Sequence, residues 1–301
     1  SKAYGDVLSS SDKLIAKHPE LWWPYQFRGL AKRRGSGQDK TGALADFEAG
    51  MKVANSKSDI IGVETMSRTI AGEIGTPEAR KAIAPYAVKD PRWKLLLAAL
   101  TQNDGDIPGA IKLIETVMEE PALAPDLQEK SLKMVGVLYL VLQPPLTEKS
   151  IETYRKLLKL APNDFTALNN IAGLLVEPGS SYNPLEALTY SQRAFDLTQQ
   201  AGIVDPLVMD THAWVLINNN RVDEGISLLR DAVQKKSFPE GHYHLGEAYL
   251  RKNPPQPADA ERALKAAELF IEDAQRESRP VDLALKAKVE ASLKKARMSK
   301  D

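Results

Sequence analysis

The sequence predicts an all-α array of repeated helix–turn–helix units. Three observations predict it. Apolar residues recur three or four positions apart through most of the 301 residues, which is the spacing of helical faces. Turn-forming Gly, Asn and Pro interrupt that spacing at short intervals. A small residue returns at one place in each unit: Gly29, Ser67, Ala98, Gly136, Ala172, Ala213 and Gly246. Two helices approach closely there, and a larger side chain would force them apart.

Pro206 to Leu250 shows the unit most clearly. Met209, His212, Ala213 and Leu216 form one helical face, and Asn218-Asn219-Asn220 breaks it. Val222, Gly225, Ile226, Leu229, Ala232 and Val233 form a second face, ended by Phe238-Pro239. A third helix then brings His242, Leu245, Gly246 and Tyr249.

The rest of the chain repeats this order. Lys2 to Lys17 reads as a helix with Val7, Leu8, Leu14 and Ile15 apolar, stopped by His18-Pro19. It is either a second helix without its partner or a capping helix. The first full unit, about Trp22 to Ser56, has Tyr25, Arg28, Gly29 and Lys32, then Ala43, Phe47 and Gly50 after a turn lengthened by Gly35-Ser36-Gly37. The second, about Ile60 to Asp90, has Val63, Met66, Ser67 and Ile70, then Ala79, Ile83 and Tyr86. Pro77 falls just inside its second helix, where proline is tolerated. The third, about Pro91 to Glu120, has Leu97-Ala98, a Gly105-Asp106 turn, then Ala110, Ile114 and Val117. Pro121 and Pro125 mark the widest interruption. The fourth has Leu132, Val135, Gly136 and Tyr139, then Ser150, Tyr154 and Pro162. The fifth has Leu168, Ile171, Ala172 and Leu175, a loop at Glu177 to Asn183, then Ala187 and Ala194. The seventh closes with Ala260, Leu264 and Ala267 after Pro254-Pro255-Gln256-Pro257. A last helix, about Val281 to Met298, has Val281, Leu285, Val289 and Leu293 on one stripe and lysines on the other face, as a capping helix should.

On these residues the chain resembles the tetratricopeptide repeat, a helix–turn–helix unit of about 34 residues. The fourth unit is the best match, with Ser150 in place of the usual alanine. The resemblance implies a right-handed α-solenoid, or superhelix, of about seven such repeats with a C-terminal capping helix. It implies an N-terminal helix or half repeat over 1–21, repeats one to three over 22–125, repeats four to seven over 126–279 and the cap over 280–301. The run Asp210-Thr211-His212-Ala213-Trp214, followed by Val222-Asp223-Glu224-Gly225, resembles bacterial members in particular. First helices in this family line a concave groove that receives a peptide, an extended segment or a partner helix. Members act as non-catalytic interaction modules and scaffolds.

Composition narrows the function. Apolar residues make up 43% of the chain, enough for a core. The formal net charge is zero, without the basic excess of a general nucleic-acid binder or a polybasic membrane-surface protein. No cysteine is present, so no disulfide, cysteine nucleophile or cysteine-ligated metal exists. No apolar run is long enough to insert into a membrane; the longest, Val135 to Leu142, suits a core. The chain opens at Ser1 rather than Met and reads as processed or trimmed, so the expectation is a soluble protein of either cytoplasm or periplasm.

The register turns two sets of side chains toward the groove. The N-terminal set is Trp23, Gln26, Leu30, Glu64, Arg68 and Arg92. The C-terminal set is Asn169, Asn170, Asp210, Thr211, Trp214, Asn218, Tyr243, His244 and Glu247. The second is the candidate site for a peptide or protein partner. Paired amides hold an extended backbone, and exposed Trp and Tyr serve as anchors. This reading expects Trp214 and Tyr243 to be exposed near Asn170; the competing one packs both rings between repeats. One subclass of the family clamps a chaperone's acidic C-terminus with lysines, asparagines and an arginine from three consecutive repeats. Lys130, Lys133 and Asn170 match part of that set, but Val137, Leu207 and Thr211 stand where it fails.

Other chemistry finds little support. His242 and His244, two of four histidines, diverge by about 200° on a helix and cannot share a metal, whereas His244 and Glu247 are three apart. No dinucleotide or phosphate-binding glycine loop and no nucleophile elbow occurs. The expectation is therefore no enzyme, no cofactor and no metal. Lys32-Arg33-Arg34 sits at a helix C-terminus, where cations favour the dipole; docking of an acidic partner is the other reading. Two alternative functions remain: a scaffold that self-associates or docks onto a larger complex, and, with the least support, an all-helical toroid enzyme.

Overall fold

A computed structural model describes residues 2–299. Residues 1, 300 and 301, at the outer ends of the first and last expected segments, lie outside the described residues. Among those described, every regular element is an α-helix. The order begins with α1 (Lys2–Lys17), then α2 (Trp23–Arg34) and α3 (Lys40–Ser56), α4 (Ile60–Glu73) and α5 (Thr76–Ala87), α6 (Pro91–Asn103) and α7 (Ile107–Met118). It continues with α8 (Pro125–Val141), α9 (Thr147–Leu160), α10 (Phe165–Val176) and α11 (Pro184–Gln200), α12 (Pro206–Asn218) and α13 (Val222–Lys235), α14 (Pro239–Arg251) and α15 (Pro257–Arg276), and α16 (Leu283–Met298). The chain forms two compact units, Ser1–Pro145 and Leu146–Asp301.

Local chemistry sets the helix boundaries. The first amides of a helix lack partners within it, and an acceptor side chain just before them satisfies one or two. Asp59 accepts from the Gly62 amide at 2.9 Å, Asp106 from Gly109 at 2.8 Å, Asp164 from Ala167 at 2.8 Å and Asp205 from Leu207 at 2.9 Å. Proline follows in the first turn of α7, α12, α14 and α15, where its missing amide costs nothing. At the α6–α7 turn Gly105 adopts φ +85°, a left-handed conformation that glycine takes without steric penalty.

The small residues explain the pairing. All seven repeated positions, Gly29 through Gly246, are buried. A Cβ at Gly29 would lie 2.4 Å from a Phe47 ring carbon of α3, and one at Gly246 would lie 2.5 Å from Leu264 Cγ of α15. Second helices answer with small residues of their own: Ala43, Ala79, Ala110, Ala187 and Ala260 are fully buried. Close approach lets Phe47, Met51, Met66, Ile70 and Ile83 make one continuous core in the first unit. In the second, Leu264, Ala267, Val289 and Leu293 join α15 to α16, which covers the last pair with its apolar stripe.

The basic run on α2 is bonded within the first unit rather than free to dock a partner. Lys32 Nζ lies 2.9 Å from Asp46. Arg33 Nε donates to the Glu73 carbonyl at 2.8 Å, and Arg34 pairs with the Glu73 carboxylate. Asp46, only 4% exposed, also accepts from Arg28 at 2.6 Å. That bond raises the Arg28 guanidinium's pKa above its ordinary value, against the effect of burial.

Candidate partner-binding site

In the second unit α10, α12, α14 and α16 touch in succession, forming a row of first helices ended by the cap. The site is built on that row. Asp205 and Pro206 start α12, and nearly every residue from Val208 to Ile217 is buried. Trp214 is only 8% exposed. Its ring stacks on His244 of α14 at 4.4 Å between centroids and 15° between planes. Tyr243 lies 6.5 Å away, tilted by 49°. The Arg251 guanidinium sits 4.5 Å from the centre of the indole. His244 and Arg251 are seven residues apart, two turns of α14, so they present one stripe to the same indole.

Hydrogen bonds hold this stack. His244 Nδ1 donates to Asp210 at 2.9 Å, and Asp210 lies one turn before Trp214. Asn218 Nδ2 donates to the Trp214 carbonyl at 2.8 Å, while its Oδ1 accepts from Arg251 at 3.3 Å. Glu247 accepts from Ser292 Oγ of α16 at 2.5 Å and lies 3.8 Å from Arg251 Nε. Burial first, and the Glu247 carboxylate second, push the Tyr243 hydroxyl up to about 12.

Beside the stack opens a cavity of about 460 Å³. Trp214, Asn218, Tyr243, His244 and Arg251 form one wall. Val176 at the end of α10, with Glu177, Pro178, Gly179 and Tyr182 of the following loop, forms the other. Lys288 of α16 reaches the rim and pairs with Glu177 at 3.2 Å.

Four residues of the sequence-derived set thus share one cavity: Trp214, Asn218, Tyr243 and His244. Five do not line it. Asp210 is buried beneath His244, and Glu247 is directed to Ser292. Thr211 lies half-buried beside Gly173. Asn169 and Asn170 precede Val176 by about two turns of α10, roughly 10 Å along the helix. Asn169 Oδ1 is buried without a hydrogen-bond partner. The expectation of an exposed Trp214 is corrected: the α14 stripe covers its face. Tyr243 is half-buried. His244 and Glu247 bond to different helices and do not converge on a metal.

Two further histidines, His212 and His242, are packed. His212 is buried against Phe195, with Nδ1 3.0 Å from Ser191 Oγ, and burial takes its pKa down to about 4. His242 stacks on Phe270, and burial lowers its pKa too. Of the N-terminal set, Gln26 donates to Thr69 at 2.9 Å and Arg92 folds back on its own cap, Asp90. Trp23 and the neighbouring Phe27 stay exposed, edge to face at 6.0 Å.

Sequence reasoning did not place Arg251, Glu177, Tyr182 and Lys288 at the site. Arg251 carries a signal, its seven-residue spacing from His244. Lys288 carries none, because one lysine on a lysine-rich face resembles its neighbours.

No protein-family model matches the chain, and no curated protein matches it. Solved structures do. A tetratricopeptide repeat protein from Parabacteroides merdae superposes with a TM-score of 0.53 at 14% identity, covering 99% of this chain and 100% of that one. A chain of the APC/C hetero-tetramer Cut9–Hcn1 superposes with a TM-score of 0.57 at 14% identity, covering 97% of this chain and 52% of that one. Among the described residues no helix is long and apolar enough to cross a membrane. Paired helices, a small residue buried at each crossing and these whole-chain likenesses together make the protein an α-solenoid of the tetratricopeptide-repeat type.

Proposed function

We propose that the protein is a non-catalytic interaction module that receives a peptide or extended partner segment on the first-helix row of its second unit. Trp214, Asn218, Tyr243 and His244 make the anchor pocket. Asn169, Asn170 and Thr211 extend the surface along α10 and α12, and Asp210 and Glu247 hold the pocket in place. The 460 Å³ cavity with its fixed aromatic wall carries this reading. Pre-formed concave sites walled by rings and a few oriented polar groups are where side-chain anchors bind. The fold agrees, since proteins built this way serve typically in protein–protein interaction and not in catalysis.

Peptides selected from a random display library on the immobilised chain test the proposal, with affinities measured by calorimetry. Tyr243→Ala is expected to weaken the selected peptides roughly tenfold, while Arg80→Ala in the first unit leaves them unchanged. Equal binding by wild type and Tyr243→Ala would refute the pocket assignment. The exposed Trp23–Phe27 pair favours a second reading, a scaffold that self-associates or docks onto a larger complex. Light scattering at two concentrations separates them: the peptide module keeps one mass, and the self-associating scaffold gains mass with concentration.

A further inference from the structure

The cavity's rim has a charge arrangement that the proposed function leaves unused. Its interior is largely carbon, from the rings of Trp214, Tyr243 and Tyr182 and from Val176 and Pro178. Two cations and one carboxylate border it: Arg251, Lys288 and Glu177. The Arg251 guanidinium already occupies the indole face at 4.5 Å, so that face is closed to a ligand cation. Glu177 is already neutralised by Lys288 at 3.2 Å. A cationic ligand would therefore meet two like charges and no free acid. Arg251 is engaged in turn by Glu247 at 3.8 Å, so an acidic ligand gains its cation by displacing Glu177 from Lys288.

The Glu177–Lys288 pair also joins two separate rims. Glu177 begins the α10–α11 loop, and Lys288 lies on α16, more than a hundred residues later. Each side chain is about half exposed, at 49% and 47%. Ion pairs this exposed contribute little to stability and exchange partners readily. The bridge is thus a weak closure across the mouth of the pocket.

Resting on the peptide-module reading, we infer that the pocket takes an apolar side chain with an acidic residue next to it, and that the Glu177–Lys288 bridge is a gate which the ligand's carboxylate opens. The leucine, isoleucine or aromatic group fills the space beside Trp214 and Tyr243. The neighbouring carboxylate replaces Glu177 on Lys288, and the half-exposed Glu177 is released to solvent. Selectivity follows, because a neutral segment leaves the bridge shut and a basic one is repelled.

The test is a set of labelled hexapeptides, Gly-Ser-X-Z-Ser-Gly, with X as Leu, Ile, Phe or Trp and Z as Glu, Gln or Lys. Binding to the full chain is read by fluorescence anisotropy. The Glu series is expected to bind roughly tenfold tighter than the Gln series, with the Lys series weakest. Lys288→Gln removes both the bridge and the cation, so it should bring the Glu and Gln series to one level, with the Gln series no weaker than on the wild type. Glu177→Gln should strengthen the Glu series a few-fold, because the ligand no longer competes for Lys288. Both side chains are exposed, and circular dichroism verifies that the variants fold. Glu and Gln peptides binding alike, or Lys288→Gln leaving the Glu preference intact, would overturn the gate while the peptide-module reading stands. If no series binds, both fail.

Discussion

The two units use one architecture and treat its polar side chains differently. In the first, charged groups near α2 are bonded to one another: Asp46 with Arg28 and Lys32, Glu73 with Arg33 and Arg34. In the second, the row of first helices carries stacked rings, with Trp214 between α12 and α14, and these wall a cavity. Both arrangements stand on the same buried small residues. The repeat positions therefore decide that helices pair, and the variable positions around them decide whether the paired charges stand alone, as beside α2, or border stacked rings and a cavity, as beside α12.

Trp214→Ala should break the contrast most strongly. Removing a buried indole costs about 3–5 kcal/mol, and hydrogen exchange should accelerate in α12 and α14 while α2 and α3 keep their protection. Equal acceleration in both units would show that the stack is not local to the second.

Acid should also separate the units. His212 is held neutral by burial, with its pKa near 4 against an ordinary 6.5. The unfolded chain binds a proton there before the folded one does, so its stabilising contribution is complete above about pH 6.5 and is lost as pH falls toward 4. The loss is of the order of 3 kcal/mol. In the first unit Glu73 and Asp90 are lowered by Arg34 and Arg92 respectively, from ordinary values of 4.5 and 3.8. Their contributions persist until the pH falls below those ordinary values. At pH 5, exchange should thus quicken in α11 and α12 before α2 to α6, and His212→Phe should flatten that response. A first-unit response at pH 5 would reverse the assignment.

Gly246→Leu and Gly29→Leu test what the units share. Each forces a side chain into a helix crossing, and each should cost about 1–3 kcal/mol by denaturant unfolding. A variant melting like the parent would show the repeat register to be wrong at that unit. The smallest effect belongs to Asp164→Ala, which removes the α10 cap and should cost about 1 kcal/mol.

Much of the fold was legible because its determinants are local and repeated. The spacing of Met209, Ala213 and Leu216, the Asn219-Asn220 turn and Gly225 are each readable alone, and the small-residue register links them from Gly29 to Gly246. The site was less legible. Facing the row of first helices is a matter of helical phase, which the sequence carries, and four residues of the pocket followed from it. Burial of Trp214 depends on what α14 lays across it, and Arg251 lies beyond the stretch that suggested the site. Lys288 and Glu177 meet across 111 positions of sequence, and no periodicity encodes that. Lys32, Arg33 and Arg34 have the same difficulty: their partners Asp46 and Glu73 lie on other helices.

Fluorine NMR of the chain labelled with 5-fluorotryptophan tests the central claim directly, because its four tryptophans sample both units. Titration with a library-selected peptide should shift the Trp214 resonance and leave Trp22, Trp23 and Trp93 in place. A shift at Trp23 with Trp214 unmoved would contradict the account and move the binding surface to the first unit.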